Sequence, residues 1–303
     1  MREAVLALLI LSALTACSGL KLTYGQLDWI LVERLDDYMT LTDEQNAALG
    51  RHVQDLLLWH CATQLRDYAT WLREVNQDIQ GGQLTPGRVE QHSTRALSLG
   101  RRLMAEVVPY LTDILHTASE EQVGEIIKRI DVDNVELREE YLERSEDDLR
   151  EDYARRMRRH LQRWLGELTE EQRQAVSEWG EALVLLRTQR WNSRLSWQAE
   201  LRRALQLRGD RRALRSGLER LLTDPQQTWS EAYRGQVEAN RDLTERLILR
   251  VAGSLTQAQL GQLERRTNGY AGDLEDLSCG PRQAARRPPA AAIPGSSPLR
   301  WGL

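Results

Sequence analysis

The feature that most constrains the fold of this chain is a short box that occurs four times. In each box a Thr or Ser follows an apolar residue and stands three positions before a Gln. The hydroxyl of such a Thr or Ser can accept the third backbone amide of a helix, while the Gln side chain reaches back to the first free amide, which is the capping-box arrangement. We therefore predict that a helix begins at each of four caps, paired with their glutamines as Thr42 and Gln45, Ser119 and Gln122, Thr169 and Gln172, and Thr256 and Gln259.

The rest of the sequence favours helices as well. Leu, Arg, Glu, Gln and Ala dominate, Pro is rare before residue 280, and few segments alternate with the period of a strand. We predict an all-α fold, a multi-helix bundle of about eight to ten helices over residues 27–279, with no sheet. The polar stretch from Asp131 to Arg163 is expected to form one long solvated helix, and a partner-binding surface is the alternative for it.

The spacing of the boxes is compatible with an internal duplication of the chain. Gln45 and Gln122 are 77 residues apart and Gln172 and Gln259 are 87 apart, so each half of the chain would hold two boxes. The intervening sequences do not align well otherwise, and the spacing alone predicts no more than two pseudo-repeated halves.

The N-terminus resembles a bacterial lipoprotein signal peptide. Met1-Arg2-Glu3 precedes an apolar run from Ala4 to Ala13, and Leu14-Thr15-Ala16-Cys17 fits the lipobox pattern. The run is too short to span a bilayer and has the length of a signal-peptide core. The resemblance implies cleavage after residue 16 and acylation of Cys17, with palmitate among the acyl chains. An ordinary signal peptide with a chance Cys is the alternative.

Such an anchor predicts where the protein resides. One acyl chain binds a membrane only reversibly, whereas several acyl chains on one N-terminus give a stable anchor. Ser18 after the Cys resembles the outer-membrane class of lipoproteins, so we expect the protein on the periplasmic side of the outer membrane. Residues 17–26 are then a lipidated tether, and the lipid bilayer is the first partner. No other apolar run reaches the length of a transmembrane helix.

Charge and composition limit the other partners. The formal net charge of −4 argues against nucleic acid as a partner. Residues 280–303 hold five Pro, four Arg and no acidic residue, which predicts a disordered basic tail. Contact of this tail with anionic lipid or peptidoglycan and a neutral extension are both open.

Two cysteines remain once Cys17 is acylated. The periplasm is oxidising, so Cys61 and Cys279 could form a disulfide. Two cysteines alone, however, do not form the spacing pattern by which a disulfide framework is recognised. Cys61 on a Leu-rich helix could equally be a small core residue.

The sequence shows no motif for catalysis, a metal or a cofactor, and we predict none of the three. There is no His-Glu-x-x-His, Cys-x-x-Cys, Gly-x-Ser-x-Gly or P-loop. The best polar-aromatic cluster suggests a groove that binds peptide or glycan by stacking, whereas the alternative is that its aromatic residues anchor helix crossings. Its residues are Trp59, His60, Asp67 and Tyr68, with Trp164 and Trp197 expected to join them in space.

Two resemblances follow from the boxes and their surroundings. The Leu-Thr-x-x-Gln form resembles the boxes of the Spy and CpxP periplasmic proteins, which are small all-helical binders of unfolded or signalling partners. A wider stretch resembles an uncharacterised family of Gram-negative lipoproteins with a domain of unknown function, over residues 17–279. The residues that carry it are Leu27-Asp28-Trp29, the four boxes, Trp59-His60, Leu65 to Ala69, Arg163 to Gln172 and Tyr270.

These observations predict a non-enzymatic protein of the cell envelope. We expect an outer-membrane-anchored helical lipoprotein that binds an unidentified envelope protein, with chaperone-like or stress-related service as its most concrete form. A cell-wall-directed hydrolase and a structural spacer to peptidoglycan are the alternatives.

Overall fold

The computed structural model describes residues 18–279, of which 85% are helical and none lies in a strand. Residues 1–16, predicted to be a signal peptide, Cys17, and residues 280–303, predicted to be a tail, lie outside the described residues. Twelve α-helices and one short 3-10 helix (Pro225–Thr228) make up the described chain. The α-helices are α1 Ser18–Gly25, α2 Leu27–Asp36, α3 Asp43–Thr63, α4 Leu65–Gln80, α5 Pro86–His116, α6 Glu120–Leu142, α7 Glu146–Leu165, α8 Glu170–Ala182, α9 Arg187–Gln206, α10 Arg211–Thr223, α11 Glu231–Gly253 and α12 Gln257–Leu277.

The all-α prediction is confirmed, but the helices are more numerous than the eight to ten expected. Eleven α-helices lie in residues 27–279, for which that number was predicted, and the predicted tether forms a further one, α1. One reason for the excess is that the polar stretch from 131 to 163 is two helices rather than one. A new helix, α7, begins after Ser145, because the hydroxyl of Ser145 accepts a hydrogen bond from the amide of Asp148 at 3.1 Å and so caps it.

All four boxes cap helices as predicted. α3, α6, α8 and α12 each begin at the residue that follows the cap of a box, with the cap hydroxyl accepting a hydrogen bond from the amide of the Gln and the Gln side chain accepting one from the amide of the cap. In the third box, for example, the Gln172 amide donates to Thr169 Oγ1 at 3.2 Å, and the Thr169 amide donates to Gln172 Oε1 at 3.1 Å.

The apolar side chains form two clusters. The first joins α3, α5, α6, α9 and α10 around residues such as Leu57, Val108 and Leu214. The second joins α7, α8, α11 and α12 around Val176 and Val251. α12 also packs along α4, and its last residues lie against the first cluster. No helix of the described chain is long and apolar enough to cross a membrane.

A disulfide joins Cys61 in α3 to Cys279, just beyond the end of α12. The two Cα atoms are 5.1 Å apart, and 218 residues separate them in sequence. The Cys279 amide also donates to the carbonyl of Cys61 at 3.1 Å. The pairing that the sequence left open is therefore present, and it fixes the last described residue to the middle of the fold.

Candidate functional site

The glutamines of the boxes meet in two pairs. Gln45 and Gln122 lie side by side: Nε2 of Gln45 donates to Oε1 of Gln122 at 3.2 Å, and Nε2 of Gln122 donates to Oε1 of Gln45 at 2.6 Å. Gln172 and Gln259 do the same at 3.0 and 2.7 Å. Each capping box is thus part of a tertiary contact as well as a helix start.

The hydrogen bonds from these glutamines to backbone carbonyls follow one rule in both pairs, and Gln45 and Gln172 also donate to the hydroxyls of Thr117 at 3.3 Å and Ser254 at 3.4 Å. Nε2 of each Gln also donates to a backbone carbonyl next to the other box of its pair. The carbonyl belongs to the residue two positions before the cap residue of that other box. These bonds run from Gln45 to Thr117 at 3.4 Å, from Gln122 to Thr40 at 2.6 Å, from Gln172 to Ser254 at 3.1 Å and from Gln259 to Glu167 at 2.9 Å.

This arrangement satisfies the buried amides. All four side chains are at most 7% exposed, and Gln172 is fully buried. Each Gln oxygen accepts two hydrogen bonds and each nitrogen donates at least two, which is the capacity of the group. Burying a primary amide without such partners would cost a few kcal/mol.

An open cleft of about 540 Å³ lies over the first glutamine pair. Its apolar floor includes Ala48 and Ile114, and its walls carry the caps Thr42 and Ser119. The acidic side chains around it are Glu44, Asp113, Glu121 and Glu125, with His52 beside them.

The carboxylates of the cleft differ in their hydrogen-bond and ion-pair partners. Asp113 pairs with Arg211 of α10 and lies 3.6 Å from Nε2 of His52. Glu125 accepts the amide of Thr40 at 2.7 Å. The pKa of Glu44 is lowered, because its own backbone amide and then the Thr42 hydroxyl donate to the carboxylate.

Glu121 lies on the cleft wall with an exposed side chain. The cleft therefore presents negative charge over a small apolar floor, which suits a basic segment of another chain. In residues 18–279 no group of three His, Cys, Asp or Glu side chains is arranged to hold a metal ion.

The aromatic cluster predicted from the sequence lies elsewhere, at the junction of α3 and α4. The His60 ring is 6.4 Å from that of Trp59 and 5.5 Å from that of Tyr68. Tyr24 of α1 stacks on His60 at 5.8 Å, and its hydroxyl is 3.1 Å from Nδ1. Burial lowers the pKa of His60. The chain's own N-terminal helix thus packs on the side chains that were expected to line a groove.

The other three predicted groove residues have different partners. Asp67 forms an ion pair with Arg102 at 3.0 Å. Trp164 packs on Tyr270 beside the second apolar cluster, with ring centres 5.3 Å apart. Trp197 donates through Nε1 to the carbonyl of Leu221 at 3.1 Å. Trp59, His60 and Tyr68 are therefore brought together, while Trp164 and Trp197 serve helix contacts in other parts of the fold.

Sequence reasoning identified the box residues but missed the cleft over them. The cleft depends on α3 and α6 meeting at their N-termini, which neither box reveals by itself. Tyr24 was also missed, because residues 17–26 were treated as a tether. The spacing of Lys21 and Tyr24 by almost one helical turn is the pattern that could have indicated a packed helix there.

The features above define an all-helical, disulfide-linked protein built on paired capping boxes. The chain belongs to a family of unknown function, DUF6279, whose model matches residues 37–234. No curated protein and no solved structure matches the chain.

Proposed function

We propose that this protein is a lipoprotein of the outer membrane, acylated at Cys17, whose helical body binds another protein of the envelope without catalysing a reaction. The lipobox supports the anchor. The Cys61–Cys279 disulfide supports an oxidising compartment such as the periplasm, since disulfides seldom persist in a reducing cytosol.

The cleft over the first glutamine pair is the observation that carries the binding proposal. Its acidic side chains Glu44, Glu121 and Glu125, which lie near Ala48, fit a segment that has Lys or Arg beside apolar side chains. Unfolded clients of a chaperone-like or stress-related protein would expose such segments. The carboxylates of the cleft give less support to a cell-wall hydrolase, because Asp113 is engaged by Arg211 and Glu125 by the Thr40 amide.

We also propose that the body consists of two pseudo-repeated halves. Each half would contain one glutamine pair and the two helices that begin at its boxes. The matching hydrogen-bond rule of the two pairs supports this division.

Site-specific photocrosslinking in intact cells tests the binding proposal. A photoreactive residue at Glu121, on the cleft wall, should yield a crosslinked envelope protein. Glu171 is the matched control, because it occupies the same position of its own box and is exposed, but lies outside the cleft. Glu121→Lys should abolish the adduct formed from a second photoreactive residue at Ala48, whereas Glu171→Lys should not.

Equal adducts from positions 121 and 171, or no effect of Glu121→Lys, would refute the cleft as the binding site. The anchor is tested separately by labelling cells with radioactive palmitate. Label should enter the wild-type chain and be absent from Cys17→Ala, and a wild-type chain without label would refute the anchor alone.

A further inference from the structure

The N-terminal helices expose apolar side chains that the body does not cover. Leu22 of α1 is 64% exposed and Trp29 of α2 is 46% exposed. Trp29 is the only exposed Trp among the described residues. We propose that Leu22 and Trp29 form a bilayer-contact face, which enters the interface of the phospholipid membrane that holds Cys17. This inference rests on the proposed acylation of that residue.

α1 is fixed to the body and cannot turn Leu22 inward at low cost. The hydroxyl of Tyr24 contacts His60, and Tyr24 itself is buried. Nζ of Lys21 bridges Asp273 at 3.1 Å and Asp276 at 2.7 Å on α12. Leu22 therefore projects from a helix whose opposite side is occupied.

The position of the anchor brings this face to the membrane. Leu22 is five residues after Cys17, which corresponds to about 7.5 Å along a helix and about 18 Å in a fully extended chain. The headgroup layer on each side of a bilayer is about 5–8 Å thick. Acyl chains on Cys17 would thus place the exposed Leu22 at or close to the headgroup layer.

The chemistry of the face fits the membrane interface rather than an anionic surface. An indole has an apolar body and a polar N–H, and Trp is enriched at the membrane–water boundary. Residues 18–38 carry four acidic and two basic side chains, so electrostatic attraction to anionic lipid is not the cause of binding. Only Gln26 separates the two helices, and Leu22 and Trp29 are seven residues apart in sequence.

Vesicle flotation of the unacylated chain tests this face without the anchor. Residues 18–303 retain every residue that the described fold uses. This chain should float with vesicles of phosphatidylethanolamine and phosphatidylcholine, and added salt should not release it, because apolar burial is little screened. Leu22→Ser together with Trp29→Ser should lower the partition coefficient roughly tenfold or more.

Leu97→Ser is the matched control, since Leu97 on α5 is 51% exposed and should leave flotation unchanged. Circular dichroism melts confirm that each variant is folded before flotation. Failure of the wild-type chain to float, or equal loss in the control, would overturn the proposal. Flotation that requires phosphatidylglycerol and disappears on removal of residues 280–303 would also overturn it, because membrane contact would then belong to the basic tail. Palmitate labelling is independent of all these outcomes and reports on the anchor alone.

Discussion

Replacing Gln172 by Ala should destabilise the fold far more than the loss of a helix cap. Gln172 makes four hydrogen bonds when the shared contact of its Nε2 with the carbonyl and the hydroxyl of Ser254 is counted as one: one from the amide of Thr169, two with Gln259, and the one to Ser254. At about 1 kcal/mol for each buried hydrogen bond, the free energy of unfolding should fall by about 4 kcal/mol. Thr169→Ala removes only the cap and should cost about 1 kcal/mol.

A double-mutant cycle separates the pairing from the caps. Gln259→Ala also removes four hydrogen bonds, but two of them are those shared with Gln172. The double variant therefore loses six distinct bonds rather than eight, and the coupling free energy should be about 2 kcal/mol. Equilibrium unfolding in urea measures all three variants.

Gln174→Ala is the control for this cycle. Gln174 lies on the same helix, α8, and its side chain is exposed, so its replacement should change stability by less than about 0.5 kcal/mol. If Gln172→Ala and Gln259→Ala are additive within about 0.5 kcal/mol, the two amides do not support one another and the reasoning fails.

Three further predictions concern the disulfide, the partly buried His60 and a helix contact. Cys61→Ser should cost up to about 5 kcal/mol, because the bond to Cys279 closes a loop of 218 residues, and reductant should lower the melting temperature of the wild type but not of the variant. Burial lowers the pKa of His60, so stability is fully present above the unfolded pKa near 6.5 and declines as the pH falls toward the folded pKa. His60→Gln should flatten that decline in urea titrations between about pH 8 and pH 5, and an unchanged slope would contradict it. Gly180→Ala should cost about 1–3 kcal/mol, since its Cβ would lie 3.0 Å from a methyl group of α7, whereas Gly124→Ala on the open side of α6 should be neutral or stabilising in the same assay.

The sequence predicted local structure well because the boxes are local devices. A hydroxyl at Thr42 and an amide side chain at Gln45 satisfy backbone groups within the same turn, so no tertiary knowledge is needed to place the start of α3. The same holds for the missed start of α7, where Ser145 and Asp148 could have been recognised as a cap despite the continuous charge pattern.

Tertiary partners could not be predicted in this way. Cys61 and Cys279 meet because α12 runs along α4 and ends beside α3, a topology that neither residue encodes locally. Trp164 and Trp197 were expected to join the cluster around His60, but each packs at a different helix contact. Long-range proximity depends on how the helices pack together, and helical periodicity gives only which face of each helix is apolar.

The pairing explains why glutamine, rather than glutamate, occupies all four boxes. A cap by itself accepts either residue, because both side chains can take the amide of the N-cap. A buried pair of carboxylates at the positions of Gln172 and Gln259 would repel, and neither could donate to the carbonyls of Ser254 and Glu167. Two primary amides can donate and accept reciprocally, so the geometry selects Gln at each position. In this chain the reciprocal amide contacts join α3 to α6 and α8 to α12.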